Sequence, residues 1–528
     1  MATSIRAISA EGRVRSMELK ELTEKTLSLL EIESTDDMSK RLLEVVKENN
    51  TKMYDQFCNL IENDLSVDWL QKIFQYYQAD RKEKMQDYTP VTLARFCGKL
   101  TEAENEKRVY DLCAGSGALT IQKWNMNHDL NFVCYEYDKN VIPFLLFNLA
   151  IRNINALVIN GDALQGEVFT RYEVKNGDKY SKVEEKTEVV LYKTANSCIS
   201  NPPYNMKWRM PPFAQIQPRF CECELPPESN ANYAFVLTAL SYATDKVSMI
   251  LPNGVLTTNN VQEKEIKKYL VEKNLIEAVI TCPDKMFEAT SIPICILVLN
   301  KHKTTTNISF VDMRNTYEVE QREQNGQFGG ASHENRTYKK EIKVFTDEQM
   351  KNAIESIINH TEIAGFSKTV SIKTIEENDY MLTPSRYIES QETNLKHREY
   401  ADIVSDLNRI IEEKNGLKLT MNESLAKSIG LYDVFVMFKS SQETNESINE
   451  MLKIIDQKIE KENFIFMSKK AGEIKFENGS KDSISTILMS IMQMWKQHIM
   501  YLNNEENRYL IELRDALLPD LMSGKIEV

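Results

Sequence analysis

The stretch Ser200-Asn-Pro-Pro-Tyr204 gathers side chains suited to holding an amine. Adjacent prolines stiffen the backbone and remove two N–H donors, so nearby carbonyls stay free to accept hydrogen bonds. The Asn201 side-chain oxygen and the Pro202 carbonyl can then take both hydrogens of an exocyclic amine. An amine held this way is near tetrahedral, its lone pair freed from ring conjugation and aimed at an electrophile. Pro203 completes the stiff turn, and Tyr204 offers a ring that can stack on a planar base taken out of a duplex. The plain alternative is a Pro-Pro turn with an Asn cap.

A second set lies upstream, in Val109-Tyr-Asp-Leu-Cys-Ala-Gly-Ser-Gly-Ala118. Here a strand ending at Asp111 feeds a turn through Gly115, Ser116 and Gly117, and a helix follows from about Ala118. Glycines in such a turn let the backbone approach a ligand closely. Glu136 lies 25 residues beyond Asp111, about the separation at which a carboxylate meets a ribose diol. Asp162, in Asn160-Gly-Asp162, can accept a hydrogen bond from an adenine amino group. Each acid alone reads equally as a solvated charge or a helix cap. Together they sit at successive strand ends, where clefts form in open parallel sheets. No third glycine follows at the dinucleotide spacing, and no Gly-x-x-x-x-Gly-Lys-Ser/Thr occurs, so ATP hydrolysis and translocation by this chain are not expected.

These residues need strands to carry them. Apolar runs at 108–111, 131–136, 156–159, 197–200, 247–251, 275–280 and 293–299 read as strands, with helices at 141–151, 231–243 and 261–273 between them. That alternation predicts an α/β fold, a mainly parallel sheet covered on both faces. Residues 17 to about 80 read as helical, 166–196 as a charged insertion, and 320–340 as an exposed loop. After about 395 the pattern is helical again. Apolar stripes run through Ile448–Ile459 and Ile484–Ile499, and a last helix is expected from near Glu505 to Pro519 or Gly524. The implied organisation is an N-terminal helical domain (1–85), a catalytic domain (86–345), a connecting segment (346–395) and a helical C-terminal region (396–528).

Composition narrows the partners. The chain has 528 residues with 65 Lys+Arg against 78 Asp+Glu, a formal charge of −13. Bulk charge therefore does not hold nucleic acid, and the isolated chain is expected to bind duplex DNA weakly and without sequence preference. Nine scattered cysteines show no CxxC or CxxC…HxxxH spacing, so a zinc site is not expected. Cysteines in apolar runs fit a reducing cytoplasm. The first residues have no signal-peptide core, and no run approaches 18 apolar residues, so no membrane span is expected.

Asp111-Leu-Cys-Ala-Gly-Ser-Gly117 together with Asn201-Pro-Pro-Tyr204 resembles the S-adenosylmethionine-dependent amino-methyltransferases, in particular the N6-adenine DNA enzymes. More narrowly, the chain resembles the modification subunits of type I restriction-modification systems. Asp87-Tyr-Thr-Pro90, Leu251-Pro-Asn-Gly-Val-Leu256, Phe287-x-x-Thr290, Ile292–Asn300 and Ser385-Arg-Tyr387 follow in the same order. The resemblance implies a Rossmann-like catalytic domain between helical regions. It places Tyr88 and Thr89 at the methionine end of S-adenosylmethionine, with Asp111, Ala114, Gly115, Ser116 and Gly117 cradling the cofactor. Glu136 would bind the ribose and Asp162 the adenine. Asn201, at the cofactor's edge, would hold the target base with Pro202, Pro203 and Tyr204. The partners implied are double-stranded DNA, a type I specificity subunit, two copies of this chain per complex, and a restriction/translocase subunit in complexes that cut. The final stretch from Glu506 instead resembles the tail of specificity subunits, which leaves room for a shortened specificity subunit. An amino-methyltransferase acting on RNA or on a protein glutamine, and a catalytically silent assembly subunit, are the competing readings.

Overall fold

The computed structural model describes residues 4–8, 14–77, 89–103, 105–187, 194–287, 292–325, 337–388, 398–428, 432–440, 449–450, 453–454, 466–470, 473–477 and 498–522. The chain divides into two compact units, Met1–Gln391 and Glu392–Val528.

The first unit opens with a small antiparallel hairpin, β1 (Ser4–Ile8) and β2 (Val14–Glu18), in a stretch expected to belong to a helical domain. Four helices follow: α1 (Leu19–Leu30), α2 (Met38–Lys47), α3 (Thr51–Leu60) and α4 (Trp69–Tyr77). Each buries an apolar stripe, as amphipathic surface helices do.

The centre of the unit is an 11-stranded sheet. Five adjacent strands in it run parallel: β3 (Arg108–Asp111), β4 (Asn131–Glu136), β5 (Asn155–Asp162), β8 (Ala195–Ser200) and β9 (Ala243–Pro252), ordered β9-β8-β3-β4-β5. Successive side chains go to opposite faces of a strand. Val109, Phe132, Cys134, Val158 and Ile199 enter one core, while Tyr110, Val133, Tyr135, Ile159 and Cys198 enter the other. The sequence therefore shows continuous apolar runs, because both faces are covered. On the first face lie α1 to α4, α5 (Val91–Leu100), α6 (Ala118–Trp124) and α7 (Ile142–Ile151). On the second lie α8 (Asn232–Tyr242), α9 (Gly254–Thr257) and α10 (Val261–Glu272).

Both flanks of the sheet are extended. The charged insertion at 166–196 forms β6 (Glu167–Lys175) and β7 (Lys182–Lys186), an antiparallel ribbon added beside β5. On the other side come β11 (Ile294–Asn300), β10 (Ile276–Thr281), β12 (Asn307–Asp312) and β15 (Ser367–Ser371). The stretch read as a connecting segment thus supplies α11 (Asp347–Ile358), the sheet strand β15 and α12 (Ile372–Glu377).

The expected loop at 320–340 is corrected. Its flanks pair as β13 (Glu318–Asn325) and β14 (Thr337–Val344), with Glu323 opposite Lys339 and Gln321 opposite Glu341. A ribbon rich in charges carries no apolar alternation, so its sequence resembles a loop.

In the second unit, α13 (Tyr400–Ser428) is followed by α14 (Tyr432–Ser440). A hairpin, β16 (Phe466–Lys470) with β17 (Glu473–Glu477), interrupts what reads as a wholly helical region. The last helix, α15 (Met500–Met522), starts before Glu505 and runs through Pro519 to stop just short of Gly524. Pro519 has no N–H to offer the carbonyl four residues back, so the final turn forgoes one helical hydrogen bond. Ile403, Ile410, Leu502, Tyr509 and Ala516 form the seam between α13 and α15. Tyr400 donates to the Ala516 carbonyl and Lys414 pairs with Glu506, so the two helices run antiparallel. The stripe Ile448–Ile459 and most of the stripe ending at Ile499 lie outside the described residues.

Candidate active site

The ends of β3, β4, β5 and β8 share one edge of the sheet because these strands are parallel. The chain leaves β3 toward β4 on one side and returns through β8 on the other. A crevice opens at such a reversal of strand order. Asp111 closes β3, Glu136 closes β4, Asp162 closes β5 and Ser200 closes β8.

The turn after β3 is shaped by two left-handed residues, Gly115 (φ 55°) and Gly117 (φ 104°). A Cβ on Gly117 would lie 3.0 Å from Leu145 Cδ1, so that position is closed to side chains twice over. The Ala114 N–H donates to the Tyr135 carbonyl at 2.9 Å, and the Gly115 N–H donates to Glu136 Oε2 at 2.9 Å. Glu136 Oε1 accepts from the Asp138 N–H at 2.7 Å. The Asn160 side chain ties down the loop after Glu136 by donating to the carbonyls of Glu136 and Tyr137.

Asp111 is fully buried, and Thr120 Oγ1 donates to its Oδ2 at 2.8 Å, while among the described residues no geometric hydrogen-bond partner is found for Oδ1. Burial pushes the carboxyl up to about 7, against the Thr120 hydrogen bond. Burial likewise pushes Glu136 up to about 7. Asp162 uses Oδ1 to cap the N–H groups of Leu164 and Gln165.

Across the crevice, Asn201 Nδ2 donates to Thr89 Oγ1 at 3.0 Å and the Tyr204 hydroxyl donates to Asn201 Oδ1 at 2.7 Å. The structure thus joins Thr89, Asn201 and Tyr204, although 112 residues separate the first two in sequence. Tyr204 is 8% exposed and meets Phe287 edge to face at 6.2 Å. Pro202 is buried beside it and Pro203 half-buried. Tyr88 lies outside the described residues.

A buried polar network beneath the glycine turn has no motif in the sequence. Asp68 Oδ1 accepts from the N–H groups of Leu70 and Gln71 and from Asn148 Nδ2. Asn148 Nδ2 also donates to the Ser116 carbonyl at 2.9 Å, and Gln71 donates to the Thr89 carbonyl at 3.1 Å. The Arg152 guanidinium closes the network on Asn148 and on the carbonyls of Leu65 and Val67. A signal was available: Asn148 is the single polar residue of Ile-Pro-Phe-Leu-Leu-Phe-Asn-Leu-Ala-Ile, and a buried amide must find partners.

The crevice fits a cofactor with an adenosyl group and a charged amino-acid end. Backbone alone lines the turn at Gly115 and Gly117, a buried carboxylate oxygen of Asp111 awaits a donor, and further carboxylates stand at the ends of β4 and β5. A doubly wound, mainly parallel sheet carrying this site defines the S-adenosylmethionine-dependent methyltransferase class. The family model described as N-6 DNA Methylase matches residues 62–396, more than half of the chain, and the chain belongs to that family.

Relatives are consistent with this. A type I restriction enzyme MjaVII methylase subunit of Methanocaldococcus jannaschii is 27% identical over 382 residues, covering 70% of this chain and 59% of that protein. The HindI methylase subunit of Haemophilus influenzae is 22% identical over 386 residues, covering 69% of this chain and 78% of that protein. The matched stretch spans 59% and 60% of the length of the two Methanocaldococcus relatives MjaVII and MjaVIII. Among solved structures, a type I restriction-modification system methyltransferase subunit from Streptococcus thermophilus is 23% identical, with a TM-score of 0.47 over 57% of this chain and 59% of that one.

Proposed function

We propose that this chain methylates DNA, transferring a methyl group from S-adenosylmethionine to the N6 amine of an extruded adenine, as the modification subunit of a type I restriction-modification complex. The observation that supports the reading is the joining of Thr89, Asn201 and Tyr204 at the end of β8, the strand paired with β3, which feeds the glycine turn. When bound, S-adenosylmethionine supplies an electrophilic methyl group on a positively charged sulfur. Asn201 Oδ1 and the Pro202 carbonyl accept the two amine hydrogens and aim the nitrogen lone pair. Pro203 keeps that turn stiff, and Tyr204 stacks on the base. Tyr88 and Thr89 border the methionine end. Asp111, Ala114, Gly115, Ser116 and Gly117 enclose the cofactor, Glu136 takes the ribose hydroxyls, and Asp162 the adenine amine.

Sequence choice is delegated to a specificity subunit, a shortened form included, with two copies of this chain per complex. The charge of −13 supports such a division, since phosphate contacts and base readout can sit on a partner. The α15 face turned away from α13, with Met500, Tyr501, Leu510 and Ile511 exposed, supports an interaction role for the second unit. Among the described residues no helix is long and apolar enough to cross a membrane. A cytoplasmic setting suits the nine free thiols.

The test is to purify the chain with its specificity partner, supply S-adenosylmethionine and unmethylated duplex DNA, and digest the product for mass spectrometry. N6-methyladenine is expected. Methyl groups on RNA or on a glutamine-bearing peptide, with none on DNA, would overturn the reading.

A further inference from the structure

The loop that leaves Tyr204 and returns to α8 carries a second apolar feature that the methyl-transfer site does not use. Phe213 is 77% exposed and Ile216 76%, more than any other large hydrophobic side chain among the described residues. Phe213 caps a single 3-10 turn, Ala214–Ile216, whose last residue is Ile216, and the buried Ala214 between them pins that turn. Phe213 holds a left-handed backbone (φ 57°, ψ 31°), uncommon for a bulky residue. A strained residue presenting a ring to solvent persists only where its surroundings fix it.

Those surroundings are rigid. Trp208 is buried, and its N–H and indole Nε1 donate to the carbonyls of Glu228 and Pro227, each at 2.9 Å. Arg219 donates to the carbonyls of Ala163 and Leu164 and to Thr238 Oγ1, and covers the buried Phe220 ring at 4.6 Å. Gln165 donates to the Arg209 carbonyl. Ala163, Leu164 and Gln165 directly follow Asp162, so the loop is anchored along the sheet edge that carries the crevice. Between Asn205 and Phe220 the chain has Lys207, Arg209 and Arg219 and no acid, within a protein of charge −13. Lys207 and Arg209 are exposed.

We propose that Phe213, backed by Ile216, is a wedge that enters the base stack of duplex DNA and fills the space vacated by the extruded adenine. Lys207 and Arg209 contact the flanking phosphates. Apolar wedges of this kind hold neighbouring bases apart and keep a nucleotide extruded. The inference rests on the DNA-methylation reading above. An exposed apolar pair in an acidic setting would suit a protein partner better. The loop as a whole sets Lys207, Arg209 and Arg219 against Glu222, Glu224 and Glu228, but the stretch that carries Phe213 and Ile216 holds only the cations, with Lys207 and Arg209 exposed, and that favours nucleic acid.

The experiment uses the full complex with its specificity subunit and a duplex carrying the site mapped from methylated DNA. Two versions of the duplex are compared, one with the target adenine paired and one with an abasic position opposite it. Phe213→Ala should lower transfer to the paired duplex by about tenfold and change transfer to the abasic-opposed duplex by no more than about twofold, because extrusion is then nearly free. Phe213→Trp should retain transfer and show quenched indole emission, beyond that of the parent protein, when paired duplex is added. Equal transfer by Phe213→Ala on both duplexes, equal loss on both, or loss of subunit association alone would overturn the wedge. Absence of any transfer by the parent complex would instead overturn the DNA-methylation reading on which the wedge depends.

Discussion

Asn201 Oδ1, the acceptor on which amine recognition depends, takes its hydrogen bond from the Tyr204 hydroxyl at 2.7 Å. On its other side the same amide donates from Nδ2 to Thr89 Oγ1 at 3.0 Å. Oδ1 keeps a second lone pair, so an entering amine can be accepted beside the phenol. Asn201→Ala should therefore lower methyl transfer by about 100-fold or more, the scale of losing an aligned hydrogen-bonding group. Cofactor affinity, read by calorimetry, should stay within about threefold, since a hydrogen-bond partner alone is lost. Tyr204→Phe removes only the phenol and keeps the ring, so its transfer rate should fall far less than that of Asn201→Ala.

The glycine turn is expected to tolerate no side chain. Gly117→Ala places a Cβ 3.0 Å from Leu145 Cδ1 at φ 104°, and Gly115→Leu fills a left-handed position at φ 55° beside the crevice. Left-handed backbone costs a non-glycine residue about 1–2 kcal/mol. Gly115→Leu should weaken S-adenosylmethionine binding measured by calorimetry. Gly117→Ala should in addition lower the melting temperature, because Leu145 is core.

Asp111 gives a pH signature. Its carboxyl is raised from 3.8 to about 7 by burial, so the folded chain holds a proton that the unfolded chain has lost. Folded protein binds more protons than unfolded protein between those values, and stability from this group declines as pH rises through that window. Asp111→Asn should accordingly stabilise the protein at pH 8, by on the order of a few kcal/mol, and have little effect near pH 4. Urea denaturation at both pH values checks the sign. The same variant should bind S-adenosylmethionine more weakly at pH 8, where the carboxylate is ionised and ready to accept.

The outward face of α15 is separable from its seam. Leu510 and Ile511 are exposed, whereas Leu502, Tyr509 and Ala516 pack on α13. Leu510→Lys with Ile511→Lys should abolish co-purification with the specificity subunit and leave helicity by circular dichroism and cofactor binding unchanged. Undiminished assembly would show that the helix docks nothing through this face.

The parallel strands were legible because burial on both faces demands unbroken apolar runs, as in Asn131-Phe-Val-Cys-Tyr-Glu136. The ribbon of β6 and β7 was not, since Glu167-Val-Phe-Thr-Arg-Tyr-Glu-Val-Lys175 mixes charge with apolar residues on a half-covered edge. At the site, residues inside motifs were readable because spacing along one strand end is local. Asp68, Gln71 and Arg152 were not, because their roles depend on segments 18 to 85 residues apart meeting under the turn. Thr89 was legible through its motif, but its bond to Asn201 was not, since 112 residues separate the two.

The ribbon has a further consequence. A sheet that grows by adding strands presents unpaired peptide groups at its border, and such a border recruits other chains. Here the border strand β7 is Lys182-Val-Glu-Glu-Lys186, short and almost entirely charged. The Val183 N–H is taken by Asn49 Oδ1, and Glu185 is held by Lys47 at 2.7 Å. The N-terminal helices thus act as a selvedge. They stop lateral growth of the weave, and a chain deprived of them would be prone to form insoluble cross-linked sheets during synthesis.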